Sequence, residues 1–435
     1  SHFIKSPNIK NFKDQDYSLL KEDCKSKEKL FEDREFQVDP QLLTDKTRDN
    51  ESGKIQWHRP HAICTQQGIN EGPKMFGVEC HRSDIKQGEI GNCWFVAALT
   101  SLVQSKDVIQ ELIPSDQDFQ TDHYHGIFRF RFWAFDERHE VLVDDRLPTV
   151  NGQLIYLKSE TKNNLDNGSM LEAAVDLCGG IPRRIPLQNL ENLFHIIHND
   201  MLQGAVLGWG LNIEKTTQGE EKGLKGNHVY PIITARAIKP LNSEVVQLIY
   251  MKDPHGDGQQ WTGNWGNEDE KWWKTDRDTR NSFESEWKRN GHFHMPVEEC
   301  VNYFDKLEIC YLDPSDMEEE DSSRKLRLTQ SFGKWINMKD GDPFTIDSAS
   351  SMTDLHSCIV SLRQMNMGEK AFFGFKVNDH SKTEVYTSGK LLNYREQSDR
   401  LRLTVGKYHL KPRRRNTNNL DDTEGEYFLR VFVEV

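Results

Sequence analysis

Apolar and polar positions change rhythm several times along the chain. Over residues 1–50 apolar positions are sparse and Lys and Asp are frequent. Residues 14–24 read there as a short surface helix, and residues 51–80 read as loop. Cys93 then opens an apolar run in which Phe95, Ala98, Leu99 and Leu102 fall at helical spacing. That spacing predicts a buried helix, with Gly91-Asn92 as its cap. Residues 126–133 alternate apolar and polar, and residues 139–145 resemble a partner strand. Asp136-Glu137-Arg138 suits the hairpin turn between them, and Arg146-Leu147-Pro148 ends the second strand. Residues 149–203 predict loop, a short helix at 170–177 and a break at Gly179-Gly180.

From Gly204 the pattern becomes strand-rich, with strands predicted at 205–213, 230–237 and 245–252. Trp261, Trp265, Trp272, Trp273 and Trp287 cluster after them. Residues 313–321 form an acidic linker. The remainder, 325–435, reads as all-β, most clearly at 370–377 and 427–435. The chain as a whole is expected to be α+β.

Composition narrows the function classes. The 435 residues allow two to four domains, and 22 Phe, 10 Trp and 11 Tyr supply large core side chains. A net charge of -13 argues against a general nucleic-acid binder. The apolar run at 93–103 is too short to span a bilayer, and the start, Ser-His-Phe-Ile-Lys, lacks the apolar stretch of a signal peptide. The absent initiator Met suggests a fragment or a processed chain. The eight cysteines, at 24, 64, 80, 93, 178, 300, 310 and 358, contain no Cys-x-x-Cys pair. Metal-finger and disulfide-framework readings are therefore weak, and a reduced, cytoplasmic compartment is expected.

Candidate chemistry concentrates at Gln87-Gly88-Glu89-Ile90-Gly91-Asn92-Cys93-Trp94. A loop with two glycines delivers a thiol to the first turn of a helix. Unpaired backbone N–H groups and the helix dipole favour thiolate there. Gln87, six residues upstream, could donate its amide to an oxyanion beside the Cys93 N–H. A buried structural cysteine is the ordinary alternative. A cysteine nucleophile needs a base and the base an orienter. His228 opens one predicted strand, and Asp253, 25 residues later, closes the next. Antiparallel pairing would bring both to one sheet end. A core or surface histidine and an Asp-Pro turn are the alternatives.

These residues resemble the calpain family of cysteine endopeptidases. The resemblance covers nearly the whole chain and its motifs occur in family order. They include Asp14-Gln15-Asp16-Tyr17, Gln56-Trp57-His58-Arg59-Pro60, the Cys93 segment and Val143-Asp144-Asp145-Arg146-Leu147-Pro148. Further along come Trp261-Thr262-Gly263-Asn264-Trp265, Lys306-Leu307-Glu308-Ile309-Cys310 and the final Gly425–Phe432 stretch. The resemblance implies a two-lobed papain-like core followed by a C2-like antiparallel β-sandwich. Its expected layout is an N-terminal anchor at 1–39, a Cys lobe at 40–206, a His/Asp lobe at 207–312, an acidic linker at 313–324 and a shortened sandwich at 325–435. By position Cys93 is the nucleophile, His228 the base, Asp253 the orienter and Gln87 the oxyanion donor. The family's first calcium site maps to Asp84 and Glu172, with backbone carbonyls near Gly77 and Glu79. The implied partners are protein substrates, and anionic phospholipid for the sandwich. Lys411-Pro412-Arg413-Arg414-Arg415 is the candidate basic run, and a solvated charged loop is its plainer reading.

Departures from the family are equally legible. Asp253-Pro254-His255-Gly256 stands where the family has Asn-Pro-Trp-Gly; an Asp still accepts from imidazole but adds a charge favouring imidazolium. His255 removes a shielding indole. Gln260, Asn267, Asn290 and His292 replace the acids of the second calcium site, which predicts at most one calcium ion in the core. An inter-lobe ion pair from Arg82 to the His292 position would be lost. The family's Phe-Trp-x-x-Leu-Leu-Glu-Lys-Ala-Tyr helix is missing between Leu157 and Glu172, and no penta-EF-hand segment is matched. The leading expectation is a calpain-like intracellular endopeptidase, making limited cuts through a Cys93 thioacyl intermediate under calcium control. A weakened or inactive binding scaffold is the competing reading, and a transglutaminase, which shares a Cys-His-Asp set, is a distant third.

Overall fold

The computed structural model describes residues 9–35, 55–75, 85, 92–120, 124–135, 137–154, 168–187, 192–211, 220, 222–226, 228–254, 256, 261–287, 289, 291–313, 326–334, 342–346, 355–365, 371–388, 391–415 and 425–434. The fold is α+β, and the chain forms two compact units. One comprises residues 1–179, 186–198 and 206–307; the other comprises 180–185, 199–205 and 308–435. Among the described residues no helix is long and apolar enough to cross a membrane.

In the first unit, β1 (Ile9–Asn11) precedes α1 (Tyr17–Ser26). Asp16 caps α1 by accepting the Leu19 N–H at 2.9 Å, and Tyr17 and Cys24 turn inward against Phe31, Ile127 and Leu142. The stretch expected to be loop contains β2 (Ile55–His58) and α2 (Pro60–Gln66). Pro60 suits the first turn of α2, where a missing N–H costs nothing. Then come α3 (Cys93–Leu102), α4 (Lys106–Leu112), β3 (Ile127–Ala134) and β4 (Glu137–Asp144). After them follow β5 (Leu147–Val150) and β6 (Gln153–Leu154). Strands β3 and β4 form the expected hairpin, from Ile127↔Asp144 to Ala134↔Glu137. Glu137 and Arg138 therefore belong to the strand rather than the turn. Leu147-Pro148 starts β5, paired with β2, instead of merely ending β4. This pairing brings two motifs together: Arg59 binds Asp145, Tyr124 donates to the same carboxylate, and Arg59 also donates to the Phe31 carbonyl at 2.8 Å.

Helix α3 is buried as its spacing suggested at Ala98 and Leu102, but not at Phe95 and Leu99. Val96, Ala97, Ala98 and Leu102 are fully buried, whereas Phe95 and Leu99 are half-buried. The small alanines let two elements approach the helix, α5 (Met170–Cys178) and β9 (His228–Ile238). Asn92 holds the cap position, but its side chain makes no cap hydrogen bond. Ser169 caps α5 by accepting the Glu172 N–H at 3.4 Å, and Gly179 ends it at φ 79°, a left-handed conformation that favours glycine. Fully buried Arg138 donates to the carbonyls of Leu177 and Cys178 at 2.8 and 3.2 Å, so the last turn of α5 is satisfied from β4.

After β7 (Ile181–Pro186) and α6 (Leu193–Leu202), β8 (Val206–Leu211) and β10 (Val246–Lys252) flank β9. With β11 (His292–Pro296) they run in the order β11-β10-β9-β8, and each neighbouring pair is antiparallel. Helices α7 (Arg277–Trp287) and α8 (Val297–Tyr303) and strand β12 (Lys306–Tyr311) complete this stretch. Trp265, Trp272 and Phe283 pack with Ile238 and Leu248, which accounts for much of the tryptophan cluster.

The second unit carries the last eight strands: β13 (Leu326–Lys334), β14 (Asp342–Ile346), β15 (His356–Gln364), β16 (Phe372–Asp379), β17 (Glu384–Thr387), β18 (Glu396–Leu403), β19 (Gly406–Arg415) and β20 (Glu426–Glu434). They form two four-stranded sheets, β13-β20-β15-β18 and β14-β19-β16-β17. One apolar core joins the sheets, drawing Cys358, Val360, Leu429 and Val431 from the first and Phe373, Phe375, Val377 and Leu410 from the second. The basic run 411–415 lies in β19, with Lys411↔Lys376 and Arg413↔Gly374, and is not a loop. The acidic linker falls largely outside the described residues.

Candidate active site

The antiparallel register of β9 and β10 puts the start of one strand beside the end of the other. His228 is the first residue of β9, and Asp253 follows the last residue of β10. Both are buried, and His228 Nε2 lies 2.9 Å from Asp253 Oδ1. The Asp253 backbone is held by its own N–H, which donates to the Gly291 carbonyl at 2.7 Å. Tyr230 stands edge-on to the imidazole, with ring centres 5.0 Å apart.

Cys93 begins α3, which packs on β9. Burial pushes its thiol above the ordinary value, while hydrogen bonds from the backbones of Val229 and Trp94 pull it down and the Asp253 charge pushes it up again. The helix-start effect anticipated from the sequence is thus present, but burial outweighs it. The thiol therefore lies beside the residue that follows His228, within the electrostatic reach of Asp253. Such an arrangement can pass a proton between sulfur, imidazole and a bound reactant.

Two basic residues that sequence reasoning overlooked border this set. Lys225 Nζ lies 3.2 Å from Asp253 Oδ2. Its backbone N–H donates to the Tyr230 hydroxyl at 2.6 Å, which ties the loop before His228 to β9. Lys252 is almost fully buried, and its Nζ donates to the Ile85 carbonyl at 2.7 Å. This bond links the end of β10 to the segment that leads towards Cys93. Lys225 was visible as a charge near His228, but nothing in the sequence says which partner it meets.

Gln87, Asp84, Gly77, Glu79, Arg82, His255, Gln260 and Asn290 lie outside the described residues. Glu172 sits in the first turn of α5. Asn267 Nδ2 donates to the His292 carbonyl at 2.8 Å, and the His292 ring lies 5.3 Å from that of Tyr250. Among the described residues no group of three or more His, Cys, Asp or Glu is placed to hold a metal ion.

The family profile described as calpain family cysteine protease matches residues 31–165 and 160–311. The chain belongs to the calpain family. The two matched pieces overlap at 160–165. Calpain-A of Drosophila melanogaster is 28% identical over 492 residues, covering 97% of this chain and 57% of the relative. The calpain-2 catalytic subunit of Bos taurus is 29% identical over 491 residues, covering 97% and 68%, and that of Rattus norvegicus is 30% identical over the same coverage. The chain thus spans between about half and about two thirds of the length of these calpains. Among solved structures, a subviral particle of infectious bursal disease virus VP2 matches at a TM-score of 0.16 with 10% identity, over 25% of this chain and 33% of that one, too slight to bear on the fold.

Proposed function

We propose that this calpain-family chain is an intracellular cysteine endopeptidase making limited cuts in protein substrates. Cys93 thiolate attacks the scissile carbonyl, and protonated His228 gives its proton to the leaving amine. Water, deprotonated by His228, then hydrolyses the thioacyl intermediate and restores the thiol. Asp253 keeps the imidazole oriented, and the Gln87 amide with the Cys93 N–H receives the oxyanion. The observation that carries the reading is the buried 2.9 Å His228–Asp253 contact at the sheet end on which the Cys93 helix packs.

In this reading the core is papain-like and two-lobed, at 40–206 and 207–312, between an N-terminal anchor at 1–39 and an acidic linker at 313–324. The eight-stranded unit at 325–435 is C2-like, with anionic phospholipid as a partner for the basic strand β19. The compartment is cytoplasmic. Calcium control rests on one core ion held by Asp84 and Glu172 with the carbonyls near Gly77 and Glu79; it would tie the segment before Cys93 to α5. Glu172 supplies a carboxylate at that helix start. The second family position does not fit a cation, because Asn267 turns its amide N–H group to the His292 carbonyl.

A thiol-reactive peptidyl epoxide, applied with and without calcium, tests the proposal. Labelling at Cys93 together with peptide hydrolysis abolished by Cys93→Ser is the expected result. Absence of both in either condition overturns it. A second reading, a calpain-like scaffold without turnover, is favoured by the burial that holds the Cys93 thiol in its neutral form.

A further inference from the structure

Asp253 carries a charge where the family has a neutral orienting amide, and that charge meets both His228 and Lys225. His228 Nε2 is 2.9 Å from Oδ1 and Lys225 Nζ is 3.2 Å from Oδ2. The lysine does not hang from a free loop. Tyr230 receives the Lys225 N–H at 2.6 Å and donates back to the Lys225 carbonyl at 3.4 Å, and the same ring abuts His228. Lys225 is thereby anchored through the residue that also walls the imidazole.

We propose that Lys225 is a positioning residue that neutralises Asp253, so that the Lys225–Asp253 pair acts on His228 as an uncharged orienter. The inference rests on the reading of His228 as the base. Alone, a carboxylate at 2.9 Å would hold the imidazole protonated to higher pH. A cation on the far oxygen offsets this while leaving the near oxygen free to accept. Among the described residues, Cys93 from α3 and Tyr230 from β9 also feel the Asp253 charge, and Lys252 at the end of β10 and His292 opposite it on β11 are the ionisable neighbours in the sheet. Lys252 is engaged with the Ile85 carbonyl, and neither Cys93 nor Tyr230 is anionic near neutral pH, because burial raises both. Lys225 is thus the described cation in direct contact with the Asp253 carboxylate. Its side chain is 38% exposed against 8% for Asp253, so solvent weakens the effect without removing it.

Histidine titration by NMR on the full chain tests this directly. The proteins needed are the parent, Lys225→Gln, Lys225→Arg, Asp253→Asn and the Asp253→Asn, Lys225→Gln double variant. Lys225→Gln should raise the His228 midpoint by about half a pH unit, and Lys225→Arg should keep the parental value. In the Asp253→Asn background, Lys225→Gln should leave the midpoint where Asp253→Asn put it. An unmoved midpoint in Lys225→Gln overturns the proposal. So does an equal shift in both backgrounds, which would mean that the lysine acts without Asp253. Peptide hydrolysis by the same proteins is a separate readout. Its absence throughout would overturn the peptidase reading, while the midpoints still decide the role of Lys225.

Discussion

The Cys93 sulfur lies against the backbone of Val229, the residue immediately after His228. Burial keeps this thiol above its ordinary value of 9.0. The thiol should then stay protonated more readily than an ordinary cysteine without an activator. Iodoacetamide alkylation of Cys93, followed by mass spectrometry across pH, should rise at higher pH than that of an ordinary cysteine in calcium-free buffer. Under the proposed calcium control, transfer of the thiol proton to His228 should move that rise to lower pH. If calcium leaves the profile unchanged, the scaffold reading becomes the better one.

Arg138 tests how α5 is held. It is fully buried and serves the carbonyls of Leu177 and Cys178. Arg138→Met should leave both without this donor, at a cost of about 2 kcal/mol. Arg138→Lys should recover only part, because one ammonium lacks the planar fork that reaches two carbonyls. Thermal melting of the three proteins reads the order directly, and equal midpoints would remove Arg138 from the account.

Acid sensitivity should centre on His294 and Glu286. His294 stacks on Tyr250 at 4.5 Å, and its Nε2 lies 3.1 Å from Glu286 Oε2. Burial holds His294 below its ordinary 6.5 despite the opposing carboxylate. Burial pushes the Glu286 carboxyl up, but the His294 hydrogen bond and the Arg236 charge outweigh it and hold the group below 4.5. Both folded-state values are depressed, so both contributions are present above the unfolded-state values and are lost as pH falls. Melting temperature should therefore begin to drop below pH 6.5, and more steeply below pH 4.5. His294→Gln should flatten the upper part of that slope. Parallel slopes for parent and variant would assign the acid loss elsewhere.

Local periodicity made the strands visible and tertiary packing hid the rest. The 126–133 alternation became β3 because the strand pairs with β4 and packs against both α1 and α5. Strands β8, β9 and β10 appeared close to their expected spans for the same reason. Helix α2 was missed because seven residues with little apolar spacing give no clear pattern; Pro60 was its one start signal. The face of α3 was legible only at Ala98 and Leu102, because a helix covered by both α5 and β9 has no polar side to set the phase. His228 and Asp253 could be paired from sequence since antiparallel strands meet at their ends. Lys225 and Arg138 could not, because their partners are chosen by side-chain reach across the fold. Gln87 and Asp84, read from family resemblance, fall outside the described residues.

The second calcium position yields the most direct test of how far this chain has departed from its family. Asn267 donates to the His292 carbonyl at 2.8 Å, whereas an acid at that position would set a carboxylate against the same oxygen. Asn267→Asp should therefore destabilise the calcium-free protein by about 1–3 kcal/mol, through a lost hydrogen bond and lone-pair repulsion. Only a cation coordinated by both oxygens could relieve it. Melting temperature should be indifferent to millimolar calcium at this position in the parent, where titration calorimetry should find at most one core site. In Asn267→Asp it should rise with calcium, since an ion bound only by the folded state stabilises that state. Two core sites in the parent would show that neutral oxygens alone suffice there. An Asn267→Asp variant that melts as the parent does, with or without calcium, would show that the Asn267–His292 bond carries no structural load.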